Sequence, residues 1–246
     1  MTNVAGYRFV DLPDRDALRE PFRAICKKAG LKGTILLSFE GINFFLAGSQ
    51  SSVDQYLDFL EQDSRFSQIH LKYSHTEFQP FNRMNVRLKK EIISLGLEHV
   101  KPAERTGEVI TPTEFKRWLD EGREVAIIDT RNDYEIRLGT FENALNLNLK
   151  SFRAFPKAIE SLPDSMKDTP VVMFCTGGIR CEKASVVMMD AGFSNVKQLK
   201  GGILGYFEEV GGEHWDGDCL CLTIALLLAQ NLNRQRLFNA LLAVSL

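Results

Sequence analysis

The sequence lacks most of the signals that assign a chain to a specialised class. No unbroken apolar run reaches the roughly eighteen residues a membrane-spanning helix needs. The first residues, MTNVAGYRFVDLPDRD, have neither a basic region nor an apolar core, so no secretory signal is expected and the cytoplasm is the expected compartment. No repeat or low-complexity tract is present, which excludes solenoids and argues against disorder. There is no Cys-x-x-Cys pair, and His70, His75, His99 and His214 are scattered, so no structural metal is expected. Flavin, haem and two-histidine-one-carboxylate iron signatures are also absent, and no cofactor is identifiable. An excess of positive charge is missing too. With a formal net charge of −2, any contact with nucleic acid has to come from a local basic patch. Five cysteines, an odd number at irregular spacing, argue against a disulfide framework and for free thiols.

What is there reads as ordinary globular protein, 44% hydrophobic and 25% charged, with enough length at 246 residues for two cores. YRFV (7–10) predicts a short strand, and Leu18, Phe22, Ile25 and Ala29 recur at helical spacing over 14–29. GTILLSF (33–39) and FFLAG (44–48) predict two strands joined through a turn at EGIN, Glu40 to Asn43. Residues 51–60 restore the helical period, and two further strands are expected at 69–73 and 84–88. This β-α-β-β-α-β order predicts a ferredoxin-like α+β sandwich over 1–95. A Gly- and Pro-containing connector follows over 96–112. From there the pattern changes: a helix opening with Thr-Pro at 111, apolar strands VAIID (125–129) and VVMFC (171–175), a helix over 182–191, a strand VKQL (196–199) and a closing helix over 203–209. Continuous apolar strands alternating with helices predict a parallel-sheet α/β domain over 113–212.

Cys175 sits where the strand VVMFC ends, followed by Thr176, Gly177, Gly178, Ile179 and Arg180. Ligands bind at the carboxyl ends of strands in open α/β sheets. Two glycines let the backbone curl so that successive N–H groups point into one concavity, and a following helix adds its positive N-terminal end. Such a nest favours a thiolate, a persulfide or a bound oxyanion. Four residues separate Cys175 from Arg180, one fewer than in cysteine-dependent phosphatases, so the cradle is sulfur-sized rather than phosphate-sized. Arg180 is expected to attract an anion. Cys181, at the start of a helix and expected to point away from the loop, reads either as a resolving thiol for Cys175 or as a buried structural residue. Asp129 reads as a turn cap, and Arg131 and Glu135 as a buried pair bracing the cysteine loop. Arg83, Arg87 and Lys89 alternate on one face of a strand, with Lys90 beside them and Lys72, Phe78 and Phe81 near in sequence. That face is a candidate RNA-backbone site.

FCTGGIRCEKAS (174–185), DTRNDYEIRLGTF (129–141) and KGGI (200–203) together resemble a rhodanese domain. With KGTILLSFEGIN (32–43) and FNRMNVRLKKEI (81–92), the chain from Tyr7 to Cys219 resembles the rhodanese-containing tRNA uridine hydroxylases, which make 5-hydroxyuridine at the wobble position with molecular oxygen. The resemblance implies a rhodanese-like fold for the second half, tRNA as partner, molecular oxygen as co-substrate and Cys175 as the catalytic cysteine. Two other functions fit the residues: sulfur transfer from a small donor through a Cys175 persulfide, and a non-enzymatic RNA- or protein-binding module. The segment 213–246 is expected to form an atypical C-terminal tail, which departs from the resemblance after Cys219. After Asp218 it has no acidic residue, and it reads as an amphipathic or aberrant helix. One codon choice for Leu220 to Leu226, read out of frame, gives a sequence that suits the family better.

Overall fold

The computed structural model describes residues 1–218, so the segment 213–246 is described only as far as Asp218 and the rest of it lies outside the described residues. These fall into two compact units, Met1–Ser94 and Leu95 onward.

The first unit runs β1 (Thr2–Phe9), α1 (Arg15–Ala29), β2 (Lys32–Ser38), β3 (Gly41–Gly48), α2 (Gln50–Glu61), β4 (His70–His75) and β5 (Met84–Leu88). The sheet order is β4-β1-β3-β2-β5. The first four strands are antiparallel neighbours, and β5 adds parallel to β2, a fifth strand on the ferredoxin-like arrangement. Helix α1 ends because Gly30 takes the left-handed conformation and Leu31 donates back to the Cys26 carbonyl at 2.9 Å. Helix α2 starts at Ser49, whose hydroxyl accepts from the Ser52 N–H at 3.1 Å. Val4, Phe22, Cys26, Ile35, Phe44, Tyr56 and Val86 fill the core, with Phe22 edge-on to Phe59 at 5.2 Å.

Two expectations change here. The β2–β3 register pairs Ser38 with Gly41, so the hairpin turns at Phe39-Glu40, and Gly41 to Asn43 belong to β3. Lys72 lies on β4, at the opposite edge of the sheet from the basic strand β5. Four strand spacings, roughly 19 Å, separate the two edges.

The second unit contains β6 (Glu108–Ile110), α3 (Pro112–Asp120), β7 (Ala126–Asp129), α4 (Asp133–Ile136), β8 (Gly139–Phe141), β9 (Leu145–Asn146), α5 (Phe155–Glu160), β10 (Val171–Phe174), α6 (Ile179–Asp190), β11 (Val196–Leu199), α7 (Gly202–Val210) and β12 (Trp215–Gly217). A parallel sheet of order β6-β11-β10-β7-β9 forms its centre, and β8 and β12 make a separate antiparallel pair. All four residues of β10 are buried, as expected of a strand covered on both faces. The stretch 96–112 ends in β6, which joins the sheet beside β11. Phe141 packs edge-on against Tyr206 at 4.7 Å, Phe174 at 4.9 Å and Trp215 at 5.1 Å, fastening the β8–β12 pair to the core. No helix among the described residues is long and apolar enough to cross a membrane.

Candidate active site

Because β7, β10 and β11 are parallel and adjacent, their carboxyl ends bring three loops to one edge of the sheet. Phe174 pairs with Asp129, which sets Thr130 beside Cys175. The Thr130 N–H and hydroxyl both donate to the Phe174 carbonyl, at 3.0 and 2.9 Å. From the third loop the N–H groups of Ile203 and Leu204 donate to the carbonyls of Cys175 and Thr176, at 2.9 and 3.1 Å. A β-carbon on Gly202 would lie 2.3 Å from the Cys175 carbonyl oxygen, so only glycine permits this approach.

The loop then turns sharply into α6. Gly178 adopts φ +104°, a conformation that side-chain-bearing residues rarely take, and its N–H donates to the Cys175 sulfur at 3.1 Å. Gly177 has neither a positive φ nor a close neighbour, so of the two glycines only Gly178 is demanded by the backbone. The helix begins at Ile179, earlier than its apolar period indicates, and Arg180 and Cys181 lie in its first turn. The Arg180 N–H also bonds the sulfur. Burial by itself would push the Cys175 thiol up. The Cys181 thiol, the Arg180 charge and the two backbone N–H groups outweigh that effect and bring it down to about 6.

Cys181 therefore does not point away from the loop. It is buried, with its sulfur 3.7 Å from the hydroxyl of Thr130, the residue set beside Cys175. Burial first, and the neighbouring Cys175 second, push the Cys181 thiol well above its ordinary range.

Four charged side chains brace the loops, in a pairing that differs from expectation. Arg131 pairs with Asp129, whose carboxylate accepts from its Nε at 3.0 Å and Nη2 at 2.7 Å, and from the Thr140 hydroxyl at 2.8 Å. Toward Glu135, Arg131 reaches only the backbone carbonyl, at 3.5 Å. The Glu135 carboxylate instead takes both Arg180 Nη groups at 2.8 Å, the Asn132 N–H at 3.1 Å and the Thr176 hydroxyl at 3.4 Å. All four charged side chains are at most 3% exposed. Glu135 thus ties the DTRNDYE loop to the cysteine loop, and Arg180 meets Glu135 through its guanidinium and Cys175 through its N–H.

In the first unit Arg83, Arg87 and Lys90 are exposed and Lys89 is half-buried. Among the described residues no cluster of three His, Cys, Asp or Glu side chains is arranged to hold a metal ion.

Residues 1–92 match the family described as UPF0176 acylphosphatase like domain, and residues 111–209 match the rhodanese-like domain family. A tRNA uridine(34) hydroxylase from Cupriavidus necator is 48% identical over 237 residues, covering 94% of this chain and 84% of the relative. Another, from Xanthomonas axonopodis pv. citri, is 43% identical and covers 95% of this chain and 96% of its own. The chain belongs to the tRNA uridine(34) hydroxylase family. Among solved structures, a rhodanese-like domain protein from Staphylococcus aureus is 26% identical with a TM-score of 0.37, covering 45% of this chain and 98% of that one.

Sequence reading gave Thr130, Thr140 and Gly202 no role in the site and set Cys181 apart from the loop, whereas Thr130, Thr140 and Gly202 hold the cysteine loop or its supports and Cys181 lies against Thr130. The one available signal was positional: a helix starting just after Gly178 puts Cys181 in its first turn, with its side chain tilted back toward the loop.

Proposed function

We propose that this protein hydroxylates the wobble uridine of tRNA, uridine 34, to 5-hydroxyuridine, with molecular oxygen as co-substrate and Cys175 as the essential thiol. The observation that carries this reading is the 48% and 43% identity, over most of both chains, to relatives named for that reaction. The surroundings of Cys175 support its role. A thiol at a helix N-terminus, with two N–H groups on its sulfur and a titration near 6, is an anion at neutral pH, and the thiolate is the nucleophilic form. Thr176 to Arg180 shape the cradle, and Asp129, Arg131 and Glu135 hold the loops in register. The basic side chains Arg83, Arg87, Lys89 and Lys90 contact the tRNA backbone in this reading. A tRNA substrate makes the cytoplasm the site of action.

The experiment is to analyse the nucleosides of tRNA from cells with and without the gene. Position 34 is expected to lose 5-hydroxyuridine, and everything built from it, when the gene is absent. Unchanged modification rejects the assignment.

The four-residue spacing between Cys175 and Arg180 favours one further activity. The Cys175 thiolate takes the outer sulfur of thiosulfate, forming a persulfide and releasing sulfite. Sulfite release by the purified protein tests this reading, and its absence in the presence of an acceptor thiol rejects it.

A further inference from the structure

An exposed aromatic ring in the first unit has no part in the function proposed so far. Phe39, in the turn between β2 and β3, is 53% exposed, yet its backbone is tightly held. Its carbonyl accepts from the Leu12 N–H at 3.0 Å, and the Glu40 carbonyl accepts from the Val10 N–H at 3.0 Å. The Glu40 N–H donates to the Ser38 hydroxyl at 3.1 Å, and the Glu40 carboxylate takes the Ile92 N–H at 2.7 Å. The turn that presents the ring is therefore fixed on both sides. Over the ring lies the Arg15 guanidinium, its carbon 3.8 Å from the ring centroid. Arg15 is anchored in turn: its Nη1 donates to the Lys89 carbonyl, and its Nε lies 3.5 Å from the Asp16 carboxylate. Because β2 and β5 run parallel, the turn and the Lys89-Lys90 pair lie at the same end of the sheet, where the Lys89 N–H donates to the Leu37 carbonyl at 2.8 Å. The ring thus stands beside the end of the basic strand, on which Arg83 and Arg87 are exposed, followed by the exposed Lys90.

We propose that Phe39, backed by Arg15, is a stacking platform for an unpaired base of the tRNA, and that the phosphates beside that base meet Lys89 and Lys90. Proteins bind single-stranded nucleic acid by combining aromatic rings, on which bases stack, with a cationic track for the backbone. In folded RNA it is the loops that offer such splayed bases, while the paired stems keep theirs stacked. Both components occur at this turn, and an apolar partner would cover the ring but leave the neighbouring cations without anions. A single exposed phenylalanine is ordinary on a protein surface. One that is mounted on a braced turn and stacked on an arginine is already in the conformation in which it would bind, so little ordering entropy is lost. Among the described residues of this unit, Tyr73 is the other large aromatic more than half exposed, and it lies on β4, at the sheet edge opposite β5. The inference rests on tRNA being the substrate. Phe39 binds the RNA and takes no part in the chemistry.

The test uses Phe39→Ala, Phe39→Trp and Tyr73→Ala in the full chain, each checked for an unchanged melting curve. Two probes are compared: the anticodon stem-loop of a tRNA carrying uridine 34, and a blunt RNA duplex of the same length with no loop. Phe39→Ala is expected to weaken stem-loop binding about tenfold or more and to leave duplex binding unchanged. The slope of log affinity against log salt should stay at the wild-type value, because an uncharged contact releases no counterions. Tyr73→Ala should bind both probes as the wild type does. Phe39→Trp keeps the platform, and a base stacked on its indole should quench its fluorescence with the stem-loop but not with the duplex, read as the difference from the wild type with its two tryptophans. Wild-type stem-loop affinity in Phe39→Ala overturns the proposal, and so do equal losses on both probes, which would mark a change in fold or field. If Phe39→Ala does not fold, Phe39→Trp decides alone: an unquenched indole on a bound stem-loop rejects the platform. A wild type that binds neither probe overturns the platform together with the tRNA reading, a result distinct from tight binding that ignores Phe39.

Discussion

Cys26 in the first unit and Cys175 in the second are buried to the same depth, at 0% and 1% exposure, and they titrate in opposite directions. Cys26 faces apolar side chains of its core, and burial alone pushes it up to about 12. Cys175 is surrounded by a helix N-terminus, a second thiol and an arginine, and it falls to about 6. Depth therefore does not make a cysteine inert; the donors aimed at the sulfur decide. The same contrast runs through both units. Among the described residues, the buried polar side chains of the first unit are the neutral Thr2, Asn3 and Ser38, whereas the second buries Asp129, Arg131, Glu135, Arg180 and Lys183. Buried charge is costly unless paired, and four of these five form the two pairs that brace the cysteine loop.

The sharpest way to break this comparison is to label both cysteines at pH 7. Only the thiolate reacts, so a group titrating near 6 is almost fully active while one near 12 is active in about one molecule in 10⁵. Cys175 is expected to be alkylated about two to three orders of magnitude faster than Cys26, because its larger thiolate fraction outweighs the weaker intrinsic nucleophilicity of a low-pKa thiolate. Its rate should fall tenfold per pH unit below 6 and level off above 7, because lowering the pH returns the proton to sulfur. Comparable rates for the two sites would dissolve the contrast.

Removing charges separates the units again. Glu135→Gln leaves the Arg180 guanidinium buried without its anion and is expected to cost about 3–5 kcal/mol in thermal or urea unfolding. The counterpart in the first unit is Asp14, 46% exposed and bonded to Arg65. Asp14→Asn should cost no more than about 1 kcal/mol. Equal losses would mean that the buried pair is no more important than the surface one.

Glycine substitutions probe the cradle at smaller magnitude. Gly178→Ala forces a β-carbon onto a φ of +104° and is expected to cost about 1–2 kcal/mol while lowering hydroxylation further than that loss explains. Gly177→Ala, with open space around it, should change melting little. The smallest expected effect lies on β5. Replacing Arg83, Arg87 and Lys89 together should flatten the slope of log tRNA affinity against log salt by up to about one unit for each phosphate left without its cation. An unchanged slope removes this strand from the RNA site.

Much of the fold was legible in the sequence because its elements carry their own periods. The β-α-β-β-α-β order, the apolar strands of the second unit and the position of Cys175 at a strand end all follow from local pattern. What was not legible depends on register across space. The partner of Arg180 is fixed by α4, which turns Glu135 toward the cysteine loop while Arg131 folds back on Asp129 two residues earlier. The Phe39-Glu40 turn was misplaced because Gly41 imitates a turn glycine yet sits inside β3. Lys72 is close to the basic run in sequence, but the order β4-β1-β3-β2-β5 sends the two to opposite edges. The β8–β12 pair consists of three-residue strands, too short to show a period.

The most direct test of the role given to Cys175 is nucleoside analysis of tRNA from cells in which the only copy of the gene carries Cys175→Ser. Serine keeps the size of the side chain and removes the thiolate. 5-Hydroxyuridine at position 34 is expected to fall to the level of cells without the gene, while the variant protein binds tRNA as the wild type does. Wild-type modification in the Cys175→Ser strain would contradict the account.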